Sequence, residues 1–334
     1  MRSTGKSTEN SDTERTRGPR RRVPLLSAGA AAVLLGSALV PVLAPAAAAA
    51  APVSAPAAAA ACASSSHRAL AARLARDIQA ARRGRSSTVA VWVGDPADGL
   101  TCSLNGSARF DSASIVKVAI LGALLRKALD QHRYLTSAEA ARARAMITRS
   151  DNDAASALWA ELGRAYLQHF LDLAGMTQTS LGPGGYWGLT QVTARDETLL
   201  LRLLLTPGRV LSGASRAYAL SLMSQVISSQ RWGVPAGAPE GVTVHVKNGW
   251  LPRAAHGWRV HSIGAFTSPQ GWYTIVVLTQ DNPTMAYGVA TIEAIARAVH
   301  RDLRPAAGTA VPPSAPGPSW GTPDERLPAL PGVP

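Results

Sequence analysis

Apolar residues recur along this chain with two different periods, which separate predicted helices from predicted strands. Leu70, Leu74 and Ile78 follow a helical spacing among basic residues, so we expect an amphipathic helix over residues 67–85. Alternation predicts a strand over 87–93, and the chain returns over 101–110. Further helical patterns occupy residues 114–129, 137–148, 151–162 and 193–205. Three β-rich runs follow at 242–246, 259–267 and 272–279, before a last predicted helix over 288–303.

The order of these elements predicts a fold of the α/β (α+β) class. Strands lie near both ends of the folded region, and most of the helices lie between them. This order suggests one antiparallel sheet flanked by the terminal helices, with an all-helical subdomain inserted in the chain. A cleft between the sheet and the subdomain is the expected place for an active site.

The first 61 residues have the composition of an export signal followed by an Ala-rich segment. Basic residues end in three arginines at 20–22, an apolar run extends over 23–43, and small residues dominate up to 61. Prolines interrupt the apolar run, so we expect cleavage rather than a permanent membrane span. Arg21 and Arg22 leave the twin-arginine route open beside the general secretory route. The sequence therefore predicts a secreted, extracytoplasmic protein.

The composition of the remaining chain predicts one folded domain over 62–304 and a disordered tail rich in Pro, Ala and Gly over 305–334. The net charge of +13 suggests a nucleic-acid partner first. Export argues for anionic cell-wall polymers as neighbours instead, but the charges after residue 60 are scattered, so a basic surface that only keeps the protein soluble is the favoured interpretation.

The chain has two cysteines, Cys62 and Cys102, an even number in a chain predicted to leave the cytosol. A disulfide between them would close a loop of about 40 residues and contribute about 3 to 4 kcal/mol. The alternative is lipidation of Cys62, because Ala60 and Ala61 precede it as in a lipobox. The apolar run ends too far upstream for that reading, so we favour the disulfide.

Three short motifs carry the candidate chemistry. Ser114 and Lys117 lie three positions apart at the start of an apolar helix, so that their side chains project from one face. The helix N-terminus and desolvation would both favour a neutral amine on Lys117, able to act as a base. Ser150, Asp151 and Asn152 precede a helix, where ordinary capping is the simpler reading. Lys247, Asn248 and Gly249 end a strand, where Gly would let a ligand lie close to the backbone.

Together and in this order, Ser-x-x-Lys, Ser-Asp-Asn and Lys-x-Gly resemble the motifs of class A β-lactamases and related penicillin-recognising serine hydrolases. The resemblance covers about residues 67–303: segment 110–121 is similar to the nucleophile helix of the family, and segment 146–162 to its second-motif helix. It implies a β-lactamase-like fold that works without a metal or another cofactor.

The resemblance also implies a role for each reacting group. Ser114 would attack the substrate carbonyl, and Lys117 would accept the proton of its hydroxyl. Ser150 would lie between Lys117 and Lys247 and relay a proton to the leaving nitrogen. The backbone N–H groups of Ser114 and Trp250 would form the oxyanion hole.

Substrate binding would fall to a second set of residues. Asn152 would bond the side-chain amide of the substrate, and Lys247, with Asn248 and Gly249, would hold its carboxylate. Arg259 is similar to an arginine that assists carboxylate binding in many members, although a plain surface position on a strand is an equal alternative.

The sequence departs from the class A pattern in two regions, the segment between the second and third motifs and the third motif itself. No Asp or Glu occurs between Asp172 and Asp196, where class A enzymes carry the glutamate that activates the deacylating water. We interpret Glu197 as a helix-start residue, and Tyr186, Trp187, Thr190 and Gln191 are poor bases at neutral pH. Asn248 replaces the usual Thr or Ser, which predicts weaker carboxylate binding.

These departures leave three functions open. The first is an exported hydrolase that opens β-lactams or related amides through an acyl-enzyme at Ser114. The second is a cell-wall D,D-peptidase or transpeptidase that acts on peptides ending in D-alanine. The third is a penicillin-binding sensor that becomes acylated without fast turnover.

Overall fold

The sheet contains six strands, all paired antiparallel, in the computed structural model, which describes residues 59–304. Their spatial order is β1-β3-β2-β8-β7-β6. In chain order they are β1 (Ala61–Ser64), β2 (Thr88–Asp95), β3 (Leu100–Leu104), β6 (Thr243–Pro252), β7 (Trp258–Ser268) and β8 (Gly271–Asn282). Two short strands, β4 (Phe110–Asp111) and β5 (Gln191–Val192), form a separate pair. The predicted signal segment and tail lie outside the described residues, except for residues 59–61.

Seven α-helices complete the described part of the chain. They are α1 (Arg68–Ala81), α2 (Lys117–Asp130), α3 (Ser137–Thr148), α4 (Asn152–Leu173), α5 (Ala194–Leu205), α6 (Gly213–Ser224) and α7 (Met285–Leu303). Strand β1 and helix α6 were not predicted. Helix α4 extends well beyond the predicted end at 162, because the chain bends at Gly163, with φ 73°, and then resumes a helix.

The two faces of the sheet are covered as the order of the elements predicts. Helices α1 and α7 pack against each other and bury Leu74, Ile78 and Ile292 over one face. Helices α2 to α6 share a second core, which Ile263 and Val276 of the sheet also enter. The α/β (α+β) class with an antiparallel sheet is therefore confirmed, and β6 is an edge strand that packs against the short turn that contains Ser114.

The two cysteines form a disulfide at the opposite edge of the sheet. Cys62 of β1 pairs directly with Cys102 of β3 in the strand register, and 40 residues separate them in sequence. The predicted bridge is confirmed. Within residues 59–304 there is no helix with the length and hydrophobicity that crossing a bilayer requires.

Candidate active site

Ser114 lies in a short 3-10 turn, Ala113–Val116, that leads directly into α2. Ser114 is fully buried, and the preceding Ala113 adopts a left-handed backbone conformation with φ 46°. The Ser112 N–H donates to the carbonyl of Thr190 at 2.8 Å, which fixes the entry to the turn. The backbone around the candidate nucleophile is thus constrained on both sides, and Lys117 follows one helical turn later.

His261 holds the strand segment just before this turn. Its Nε2 lies 2.8 Å from the carbonyl oxygen of Asp111, and the Thr279 N–H donates to its Nδ1 at 3.2 Å. This pattern requires the neutral ring with its proton on Nε2. Burial lowers the pKa of His261 to about 4, so the ring stays neutral at pH 7. No sequence pattern indicates this role, because a lone histidine in a strand has no local signature.

Gly249 brings the third motif against the nucleophile turn. A Cβ at this position would lie 2.7 Å from the Ser114 nitrogen and 2.9 Å from the Ile115 nitrogen. Real Cβ atoms do not approach backbone so closely, so only glycine lets β6 pass here. The first and third motifs are therefore in direct backbone proximity.

The hydroxyl of Ser150 lies between the two buried lysines. Lys117 Nζ lies 3.1 Å from Ser150 Oγ, and Lys247 Nζ donates to the same oxygen at 2.9 Å. Both lysines are fully buried. Ser150 itself has a left-handed backbone with φ 59°, a conformation that costs a non-glycine residue on the order of 1 kcal/mol or more.

Backbone and amide oxygens fix the two amines in place. Lys117 Nζ donates to the Ser150 carbonyl at 2.6 Å and to Asn152 Oδ1 at 2.7 Å. Lys247 Nζ donates to the Asn248 carbonyl at 2.7 Å. Asp151, between the two second-motif residues, accepts from the Ala154 N–H at 2.7 Å and caps α4. The capping reading thus holds for Asp151, while its neighbours Ser150 and Asn152 face the amines.

The loop before α5 contributes Trp187 to the surroundings of Lys117, although the sequence suggests only that this residue is a poor base. Lys117 Nζ lies over the indole ring, 4.6 Å from the ring centroid. The side chain is buried, and its Nε1 donates to Ser156 Oγ of α4 at 3.1 Å. Glycines at 182, 184, 185 and 188 mark this segment as a loop, but no local pattern indicates that its tryptophan covers an amine.

Glu197 lies in the first turn of α5, as expected for a helix-start residue, but it makes no capping hydrogen bond. Thr193 caps α5, and the preceding Asp196 accepts from the Gln178 N–H and the Thr179 hydroxyl. Glu197 is fully buried, and neither carboxyl oxygen has a hydrogen-bond partner within residues 59–304. Desolvation, with a smaller contribution from the charge of Asp196, raises the pKa of Glu197 to about 8.

The remaining candidate binding residues differ in their surroundings. The amide nitrogen of Asn248 donates to the carbonyls of Gln230 and Trp232, at 2.9 and 2.8 Å. Arg259 pairs with Asp111 at 3.3 Å and donates to the carbonyls of Ala255 and Gly257. The contacts of Arg259 therefore lie around the β6–β7 turn and the strand before the nucleophile.

An open pocket of about 340 Å³ adjoins the Ser150 side of these residues. Its walls are Arg149, Ser150, Asp151, Asn152, Asp153, Gln230 and Trp250. The pocket brings Trp250 to the same cavity as the second motif. A small polar molecule could enter here and reach the groups between the two lysines.

A family model described as the β-lactamase enzyme family matches residues 73–138 and 140–303. A search of curated proteins finds no significant match.

Several solved structures have a similar fold. A variant of the class A β-lactamase of the last common ancestor of Gram-negative bacteria is 24% identical, with a TM-score of 0.60, over 70% of this chain and 99% of that one. The β-lactamase from Sphaerobacter thermophilus is 23% identical, with a TM-score of 0.60, over 70% and 98%. The protein PBP-A is 21% identical, with a TM-score of 0.60, over 70% and 96%. At these identities the structures establish similarity of fold.

Proposed function

Because this chain belongs to the β-lactamase enzyme family and is a serine hydrolase, we propose that it is exported and forms an acyl-enzyme at Ser114 with β-lactams or related amides. The observation that carries the proposal is the position of the Ser150 hydroxyl, within 3.1 Å of Lys117 and 2.9 Å of Lys247. A hydroxyl between two amines can pass a proton from one of them to a leaving nitrogen.

The first step is the attack of Ser114 Oγ on the substrate carbonyl carbon. Two fixed acceptors, the Ser150 carbonyl and Asn152 Oδ1, orient Lys117, and its nitrogen takes the proton that Ser114 loses. The N–H groups of Ser114 and Trp250 stabilise the resulting oxyanion; one such donor is worth about 3 to 4 kcal/mol in comparable hydrolases. The proton then travels through Ser150 to the leaving nitrogen, the C–N bond breaks, and the acyl group stays on Ser114.

Asn152 and Lys247 bind the substrate in this proposal. Since Asn152 Oδ1 accepts from Lys117, its amide nitrogen is the atom left to donate to a substrate carbonyl. Lys247 supplies the positive charge for a carboxylate. The amide nitrogen of Asn248 already donates to two backbone carbonyls, which supports weaker carboxylate binding than a hydroxyl at this position would give. Arg259 stays a predicted carboxylate-binding residue, but its ion pair with Asp111 favours a structural role.

A second candidate function is acylation without fast hydrolysis, as in a D,D-peptidase, a transpeptidase or a penicillin-binding sensor. The absence of any Asp or Glu between Asp172 and Asp196 favours it, because no carboxylate in that segment can activate water. Glu197 does not substitute for one, because desolvation raises its pKa to about 8 and keeps its carboxyl protonated at neutral pH. Extracytoplasmic location is part of the proposal, and the Cys62–Cys102 disulfide supports it.

Mass spectrometry of the purified protein after incubation with a penicillin tests the proposal. We expect one added penicillin mass, located on the peptide that contains Ser114. Ser114→Ala and Lys117→Ala should both lose labelling, whereas Lys127→Ala, a change at the other end of α2, should keep it. Labelling of the Ser114→Ala variant would refute the proposed nucleophile.

The decay of the adduct separates the two candidate functions. Rapid return of unmodified protein indicates a β-lactamase, and a persistent adduct indicates a peptidase or a sensor. Release of D-alanine from a peptide ending in D-alanyl-D-alanine would then identify the peptidase.

A further inference from the structure

The indole of Trp187 covers one side of the Lys117 amine. The 4.6 Å distance from Nζ to the ring centroid lies within the range of a cation–π contact. The face of an aromatic ring is apolar, and it neither donates nor accepts a conventional hydrogen bond to water. On this side of Lys117, the indole therefore fills space that a water molecule could otherwise occupy.

The position of Trp187 is fixed by contacts at its side chain and its backbone. Its Nε1 donates to Ser156 Oγ at 3.1 Å, and its carbonyl accepts from the Ser112 hydroxyl at 3.4 Å. The loop that carries it is closed by a contact of 3.1 Å from the Gly182 N–H to Thr190 Oγ1. Arg164 donates to the Gly182 carbonyl at 2.6 Å, which ties the same loop to α4. The indole is thus preorganised over the amine.

Hydrolysis of an acyl-enzyme needs a water molecule beside a base. The water oxygen must attack the acyl carbon while the base takes one of its protons. The bond from the acyl carbon to Ser114 Oγ then breaks, and Ser114 recovers a proton. Lys117, one helical turn from Ser114, is the base nearest in sequence, and three oxygens, the Ser150 carbonyl, Ser150 Oγ and Asn152 Oδ1, already contact its nitrogen.

We propose that Trp187 is a positioning residue that prolongs the life of the acyl-enzyme by keeping the hydrolytic water away from Lys117. This inference rests on the proposed acylation at Ser114, which it extends to the second half of the reaction. A ring that excludes water slows hydrolysis but leaves the attack of Ser114 on the substrate largely unaffected. The prediction is therefore a selective change in one of two measurable rates.

The test measures acylation and adduct decay separately, using a fluorescent penicillin and the full-length protein. Trp187→Ala should decay about ten times faster than the wild type or more, equivalent to at least about 1.4 kcal/mol, while acylation changes less than about threefold. Trp187→Phe, which keeps an aromatic face, should retain slow decay. Trp159→Ala, which removes another buried tryptophan of the helical core, should change neither rate.

Ser156→Ala provides a second test if Trp187→Ala does not fold. It removes the acceptor of the indole N–H, so the ring loses its fixed position and decay should accelerate by about threefold. Unchanged decay in Trp187→Ala, or in Ser156→Ala where the first variant does not fold, overturns the role of Trp187. Absence of any adduct on wild-type Ser114 would instead refute the proposed function itself, so the two failures are distinguishable.

Discussion

Two residues of this protein have a backbone conformation or a protonation state that is unfavourable for the same residue in an unfolded chain. Ser150 has a φ of 59°, a left-handed conformation that is unusual for serine. Its hydroxyl accepts a hydrogen bond from Lys247. Glu197 is a carboxylic acid enclosed in the core without a hydrogen-bond partner within residues 59–304. Each of these features costs folding free energy, so each predicts a substitution that removes that cost.

For Ser150, Ser150→Gly separates stability from chemistry. Glycine adopts a positive φ without steric cost, but the two buried amines lose a hydrogen-bond acceptor, so we expect the free energy of unfolding to change by less than about 1 kcal/mol. Loss of the hydroxyl should lower the acylation rate by about 10²-fold or more. Urea unfolding and stopped-flow acylation measure the two effects. Wild-type acylation in a folded Ser150→Gly protein would show that the hydroxyl relays no proton.

For Glu197, the expected effect depends on pH. The raised pKa of about 8, against 4.5 for the unconstrained side chain, means that the unfolded chain loses this proton first. Stability should therefore fall as the pH rises from about 4.5 to about 8. Glu197→Gln should abolish that fall and stabilise the protein by about 1 to 3 kcal/mol at pH 8, with little change at pH 4. Thermal unfolding measures this effect, and exposed Glu240→Gln serves as the control; a gain that does not vary with pH would contradict it.

At the scale of elements, the site depends on one strand passing close to one turn. The predicted β-run at 242–246 ended just before Lys247, whereas β6 continues through the motif to Pro252. Its continuation places Gly249 against the nitrogens of Ser114 and Ile115. The local sequence predicts a strand and a turn, but this close approach arises from the pairing of β6 with β7 and its packing on the turn before α2.

Gly249→Ala tests the importance of that approach. The added methyl would lie 2.7 Å from the Ser114 nitrogen, so β6 or the nucleophile turn must move. We expect a loss of about 1 to 3 kcal/mol in stability and a fall of about 10²-fold in acylation, because small displacements of reacting groups are costly. Gly208→Ala is the matched control, since its added methyl would meet no atom within 4 Å. Normal acylation in Gly249→Ala would show that the backbone proximity is unimportant.

At the scale of the whole molecule, the disulfide and the candidate site lie at opposite edges of the sheet. Cys62 and Cys102 join β1 to β3, whereas Lys247 lies on β6 at the other edge. A crosslink in this place constrains the unfolded chain without touching the reacting groups. We therefore expect that loss of the disulfide lowers the stability of the protein and leaves its acylation rate nearly unchanged.

The double substitution Cys62→Ser with Cys102→Ser measures that separation. We expect the free energy of unfolding to fall by about 3 to 4 kcal/mol, because the loop of 40 residues is no longer closed. The melting temperature should fall by about 2 to 4 °C for each kcal/mol lost. The acylation rate at 25 °C should stay within about twofold of the wild type. Reduction of the wild-type protein with a thiol should reproduce the effect, and a large loss of acylation in the folded variant would contradict it.

The sequence by itself determined the order of the elements, the three motifs and the one-turn spacing of Ser114 and Lys117. These features depend on residues close together in the chain, where helical and strand periods act directly. Only the tertiary structure decided that Trp187 covers Lys117 and that Glu197 is enclosed without a partner within residues 59–304. The contact of Ser150 with Lys247, 97 residues away, was expected from the family resemblance and from no local pattern. Such contacts depend on how distant elements pack, and packing is a property of all the elements together and not of any local pattern.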